Sequence, residues 1–218
     1  MPPLQAVLFD LDGTLVDTAP DLCHAVNRVC ADHGSPPVPL ERLRPVVSKG
    51  GRAMLAAALP DVAEAAREAM IPPFLDYYAQ AVKVDSVLFP GVDALLGAIE
   101  ARGLRWGIVT NKPEGLARAV VDGFGWTQRC AVLVGGDTLP QRKPDPAPLR
   151  HACAQLGIAA DAALYVGDDE RDVLAARAAG MPVVAAAWGY RLPHEDPVSW
   201  QADRLCADAG AVIALLPP

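Results

Sequence analysis

The chain has 218 residues, 52% of them hydrophobic, with 18 Gly and 21 Pro and a formal charge of -7. That length and composition allow a full buried core with a smaller accessory lobe and exclude disorder. The acidic balance argues against nucleic acid or an anionic membrane as partner, and no run approaches the ~20 apolar residues that cross a bilayer.

The first element in chain order is AVLF at 6–9, a short buried strand. It follows MPPLQ, which lacks a basic n-region, so the expectation is a cytoplasmic protein without a signal peptide. DLDGTLVDT comes next and sets Asp10 and Asp12 two residues apart, with Asp17 behind them as a helix cap. Two like charges in contact repel by about 4 kcal/mol at the effective dielectric of a protein surface. Water, a shared proton, a basic side chain or a metal ion must offset that cost.

From 19 to 84 the pattern is helical, with no convincing strand. Leu22, Ala25, Val26, Val29 and Cys30 form one stripe ending at Gly34, and Ala-rich segments follow, interrupted at Pro45, Pro60 and Pro72-Pro73. Further strands are expected at 104–109, 131–134, 163–166 and 182–187, with a weaker one at 203–206. Helical stripes lie between them at 92–99, 116–121 and 149–156. Runs without clean alternation suit parallel strands covered on both faces, so the fold class is α/β, a Rossmann-like doubly wound parallel sheet. The five cysteines form no CxxC pair and read as reduced thiols.

In open parallel sheets, ligands bind beyond the carboxyl ends of the strands. Asp10 and Asp12 follow the first predicted strand, and Thr110, Asn111 and Lys112 follow the second. Gly135, Gly136 and Asp137 follow the third, with Lys143 further along, and Gly167, Asp168, Asp169 and Asp172 follow the fourth. Asp10, Asp168 and Asp169 offer hard oxygen ligands suited to Mg²⁺ beside a substrate phosphate. Asp10 could then attack phosphorus, Asp12 act as acid and base, Thr110 and Asn111 hold the phosphoryl oxygens and Lys143 balance their charge.

DLDGT, VTNK, RKPDP and VGDDERD resemble the four ordered motifs of the haloacid dehalogenase superfamily, and the resemblance covers nearly the whole chain. It implies Asp10 as nucleophile, Asp12 as acid/base, Thr110 and Lys143 on phosphate, and Asp168 with the Asp12 carbonyl on Mg²⁺. It also implies an α/β core at 1–18 and 85–218, a helical cap at 19–84, and the first strand at the sheet centre. DGTLVDT, LFPG, TNKP, KPDP and WGY resemble the phosphoglycolate phosphatase group; SKGGRAML, GDDERD and WGYRLPHEDPVSWQAD resemble N-acetylmuramic acid 6-phosphate phosphatases. Asp169 stands where the first group usually carries Ser. The implied partner is a small phosphorylated metabolite, a sugar or carboxylic acid phosphate, acted on by a monomer or homodimer.

Lys49, Gly50, Gly51 and Arg52 read either as substrate contacts from the cap or as a glycine hinge between solvated cations. Gly13 reads as a close backbone approach or a positive φ, with Thr14 beside it. Asp169 and Asp172 are expected behind the ligands, Asp172 as a helix acid or a partner of Lys143, with direct ligation as its alternative. Trp188 is expected near the site. A phosphomutase would share all four motifs. A haloacid dehalogenase is disfavoured by Asp12 and the metal acids, and a phospho-accepting receiver domain by the long insertion and VGDDERD.

Overall fold

The structure, a computed structural model, describes residues 3–218. Its strands are β1 (Ala6–Phe9), β2 (Val16–Asp17), β3 (Val87–Leu88), β4 (Arg105–Val109), β5 (Cys130–Val134), β6 (Ala163–Gly167), β7 (Val183–Ala186) and β8 (Arg204–Cys206). Helices α1 (Ala19–Asp32), α2 (Leu40–Leu43), α3 (Gly51–Ala58), α4 (Glu64–Ala69) and α5 (Ile71–Ala79) lie between β2 and β3. The sheet is flanked by α6 (Val92–Ala101), α7 (Glu114–Gly123), α8 (Ala147–Leu156), α9 (Glu170–Ala179) and α10 (Ala209–Ile213).

β1 is buried along its length, and its side chains divide between two apolar clusters. Val7 and Phe9 join one cluster with residues of α6, α7 and α10, while Ala6 and Leu8 join the other with residues of α8 and α9. A period-two strand covered on both faces requires this. The sheet order is β5-β4-β1-β6-β7-β8 with every pairing parallel, so the expected α/β architecture and the interior position of β1 are both present. The order also explains the site. β4 and β6 flank β1, so the loops after all three strands leave the same edge side by side.

Two local features differ from the sequence expectation. β2 pairs antiparallel with β3, Val16 opposite Leu88 and Asp17 opposite Val87, at the two crossings between sheet and helices. Two-residue strands carry no readable period. Pro72-Pro73 does not break a helix but lies in the first turn of α5, where the missing N–H groups would be unpaired anyway. Four of the five cysteines are buried and Cys130 is half-buried, all as free thiols. Among the described residues, no helix is long and apolar enough to cross a membrane.

Candidate active site

At the end of β1 the Asp10 N–H donates to the Val166 carbonyl at 2.9 Å, fixing the turn against β6. The Leu11 N–H donates to Asp10 Oδ1 at 2.8 Å, and Lys143 Nζ lies 3.1 Å from the same oxygen. Asp10 Oδ2 takes part in none of these contacts. Lys143 is buried and also donates to Asp172 Oδ1 and the Tyr165 hydroxyl, each at 2.7 Å. Burial opposes its charge, but Asp10 and Asp172 more than offset this and hold the ammonium above its usual range.

Asp168 follows β6 and is 1% exposed. Its Oδ1 accepts from the Thr14 hydroxyl at 2.8 Å; its Oδ2 accepts from the Ser48 hydroxyl at 2.8 Å and the Tyr190 N–H at 3.0 Å. Burial first, then the charges of Asp10 and Asp172, push its carboxyl well above the ordinary range. Asp10, Asp168 and Asp172 each bring an oxygen within 4.8 Å of the others. Three clustered acids, two of them sharing the Lys143 ammonium, present the donor chemistry of a hard divalent cation. The Ser48 hydroxyl, close to Asp168, is also 3.5 Å from the Asp12 carbonyl, so that carbonyl and Asp168 face one space.

The approach is tight enough to require glycine. Gly13 has φ +92°, and a Cβ there would lie 2.1 Å from Asp168 Oδ2. A Cβ on Gly189 would lie 2.2 Å from that of Asp168. The positive φ and close backbone approach read at Gly13 are therefore both present.

Asp12 has different partners. Its Oδ1 accepts from the Thr18 hydroxyl at 2.5 Å and Lys112 Nζ at 2.9 Å, while Oδ2 accepts from neither. Burial opposes the Lys112 charge, but Asp12 outweighs it and holds the ammonium above its usual range. The same ammonium lies 4.2 Å from the ring centroid of Tyr78 on α5. Thr110 is buried at the end of β4, and its hydroxyl accepts from the Lys112 N–H at 3.2 Å.

Several expectations change once partners are visible. The Asn111 side chain donates to the Lys143 carbonyl at 2.8 Å and accepts from the Lys143 N–H at 3.0 Å, so it ties the turn after β4 to the Lys143 backbone and keeps one amide N–H outside these contacts. Asp169 caps α9 in a reciprocal capping box with Asp172 and takes Lys49 at 2.7 Å and Arg171 at 3.0 Å. Though burial opposes its charge, Arg171 and Lys49 hold its carboxyl below the ordinary range, so it is engaged with cations instead of free for a metal. Asp172 Oδ1 meets Lys143, and its Oδ2 accepts from the Asp169 N–H at 3.0 Å, which makes it the partner of Lys143. Asp17 accepts from the Ala19 N–H only at 3.3 Å; its stronger partners are Tyr190 at 2.6 Å and Arg44 at 2.8 Å.

Lys49, Gly50, Gly51 and Arg52 line a cavity of about 300 Å³ that also contacts Asp10, Asp12, Thr110 and Lys143. Yet the Lys49 ammonium is held between Asp169 and Glu195, and the Arg52 guanidinium pairs with Glu68 at the surface. A Cβ on Gly51 would lie 2.8 Å from the Phe74 ring, so this glycine lets α3 start against α5. Met54, Ile71, Phe74, Leu75 and Tyr78 give the helical side of the cavity an apolar wall. Trp188 is near the site as expected, donating to the Thr14 carbonyl at 3.0 Å.

Sequence reasoning gave no role to Ser48, Tyr78, Lys112 or Tyr190. Lys112 had a signal, since it directly follows Thr110 and Asn111 at a strand end. Ser48 and Tyr190 lie in the SKGGRAML and WGY stretches without a role assigned there, and Tyr78 had no signal, because all three reach the site only through folding of distant segments.

A family model described as haloacid dehalogenase-like hydrolase matches residues 7–186. A Xanthomonas campestris pv. campestris protein named phosphoglycolate phosphatase is 58% identical over 201 residues, covering 92% of this chain and 91% of its own. A Pseudomonas aeruginosa protein named N-acetylmuramic acid 6-phosphate phosphatase is 45% identical over 206 residues, covering 92% and 89%. The crystal structure of a protein from Haemophilus somnus 129PT, titled a predicted phosphoglycolate phosphatase, superposes with a TM-score of 0.87 at 28% identity and covers 99% of each chain.

Proposed function

This chain belongs to the haloacid dehalogenase-like hydrolase family, and from that premise we propose that it is a Mg²⁺-dependent phosphatase releasing phosphate from a small organic monoester through an aspartyl-phosphate. One observation carries the reading. Asp10 and Asp12 each have one carboxylate oxygen engaged by buried donors and the other outside those contacts, and both line the same cavity.

Asp10, Asp168 and the Asp12 carbonyl would hold the cation, which when bound offsets the charge of the phosphoryl group and of the acids around it. Lys143 fixes Asp10 Oδ1, which leaves Oδ2 to attack phosphorus in line with the leaving oxygen. Thr18 and Lys112 hold Asp12 Oδ1, so its other oxygen can protonate the departing alcohol. The same oxygen then takes a proton from the water that cleaves the phosphoryl-Asp10 bond, which restores both acids. Thr110 and the Lys143 ammonium face the phosphoryl oxygens, with Gly13 and Thr14 closing the loop beneath them. Residues 19–84 serve as a cap over a core of 1–18 and 85–218. In this arrangement Ser48 and Lys49 reach across to Asp168, Asp169 and Glu195, so the cap bridges to the core beside the site.

The apolar wall of Met54, Ile71, Phe74, Leu75 and Tyr78 favours an ester larger than a two-carbon acid. N-acetylmuramate 6-phosphate therefore ranks first as substrate. Phosphoglycolate is the second reading, favoured by the name of the 58% identical relative. The test is phosphate release across a panel of esters. Turnover should stop with EDTA and return with Mg²⁺, and Asp10→Asn should abolish it while leaving the circular dichroism spectrum unchanged. Retained turnover in Asp10→Asn refutes the nucleophile, and isomer formation without phosphate release identifies a mutase.

A further inference from the structure

Among the described residues, the Tyr78 hydroxyl is the only buried side-chain polar atom without a hydrogen-bond partner. A buried hydroxyl left unpaired carries a desolvation penalty, so native structures rarely keep one without a reason. The residue is 1% exposed yet lines the cavity, on the apolar wall formed by α5. Lys112 Nζ, 4.2 Å from the ring centroid, does not satisfy it: an ammonium has only protons to offer, so the Tyr78 O–H still has no acceptor. Burial pushes the phenol above its ordinary range against the pull of Lys112, so it keeps its proton and remains a donor.

Position decides what that donor can meet. Lys112 is shared between the Tyr78 ring and Asp12 Oδ1, so Tyr78 stands beside the group assigned to the leaving oxygen. Asp10 and Lys143 hold the phosphoryl side. We propose that Tyr78 is a specificity residue whose hydroxyl donates to an oxygen acceptor carried by the leaving alcohol of the ester. This rests on the phosphatase reading and adds a requirement to it: the alcohol must bear a hydroxyl, ring oxygen, carbonyl or carboxylate within reach of Tyr78. The bland alternative is that Tyr78 merely fills space between α5 and α1.

Tyr78→Phe separates the two. Relative rates are measured on N-acetylmuramate 6-phosphate and phosphoglycolate, whose alcohols carry acceptors, and on phenyl phosphate, whose leaving group has none beyond the ester oxygen. The expected result is about a tenfold fall in kcat/KM on the faster of the first two and less than about a twofold change on phenyl phosphate. The melting temperature should hold or rise, because an unpaired hydroxyl has been removed from a buried site. Equal falls on all esters, no fall on any, or a lowered melting temperature would overturn the assignment. Failure of the phosphatase reading looks different. The unsubstituted protein would then release no phosphate from any of the three, and the role of Tyr78 would fall with it.

Discussion

Asp10 and Asp12 carry the same side chain two positions apart, yet their surroundings give them different duties. Asp10 is set against the buried Lys143, whose ammonium also serves Asp172 and Tyr165. Asp12 is held at one oxygen by the Thr18 hydroxyl of its own stretch and by the Lys112 ammonium from a distant one. Removing Lys112 should therefore disturb the acid more than the nucleophile. Lys112→Met should lower kcat by about 10- to 100-fold, with a smaller effect on KM, because Asp12 loses its orientation but keeps its carboxyl. Steady-state phosphate release checks this, with a thermal melt to show that the variant is folded. A fall in KM affinity alone would instead place Lys112 on the substrate.

At the level of elements, the helical segment is fastened at two places, at its base and over the site. On the returning side Asp21 of α1 accepts from the N–H groups of Val84, Asp85 and Ser86 at 2.9–3.0 Å and from the Ser86 hydroxyl at 2.6 Å. One buried carboxylate thus satisfies three consecutive backbone donors where the chain comes back. Asp21→Ala should strand those donors and destabilise the fold by about 3 kcal/mol, read as a lowered urea midpoint, with cleavage by protease near residue 84. Over the site, Ser48 and Lys49 from the middle of the segment meet Asp168, Asp169 and Glu195. The sequence marked the helical stretch and the KGGR turn, but it left Lys49 and Arg52 open between substrate contacts and solvated cations. Their acidic partners, Glu195 and Glu68, come from a distant loop and from α4, and no local pattern marks such pairing.

Across the whole molecule, the apolar cluster that starts at Val7 and Phe9 continues without a break through Leu22, Val26, Leu43, Met54 and Phe74. The helices between β2 and β3 therefore share their core with the sheet, and a calorimetric scan should show one cooperative transition with no separate early melting of the helices. Mg²⁺ should raise that melting temperature, because the clustered acids are brought together only in the folded chain. At 100 times its dissociation constant the gain is about 2.7 kcal/mol. The order of strands and helices, the acids at the ends of the first and fourth predicted strands, and the glycine beside them were determined by the sequence alone. Strand burial, helix period and turn chemistry are local properties that a linear pattern records. Tertiary structure alone decided which partner each charge meets: Asn111 on the Lys143 backbone, Asp172 on its ammonium, Lys112 on Asp12, and Tyr78 left unpaired against the cavity. These contacts join residues 29 to 100 positions apart, and the interaction of two charges depends on their separation in space, not along the chain.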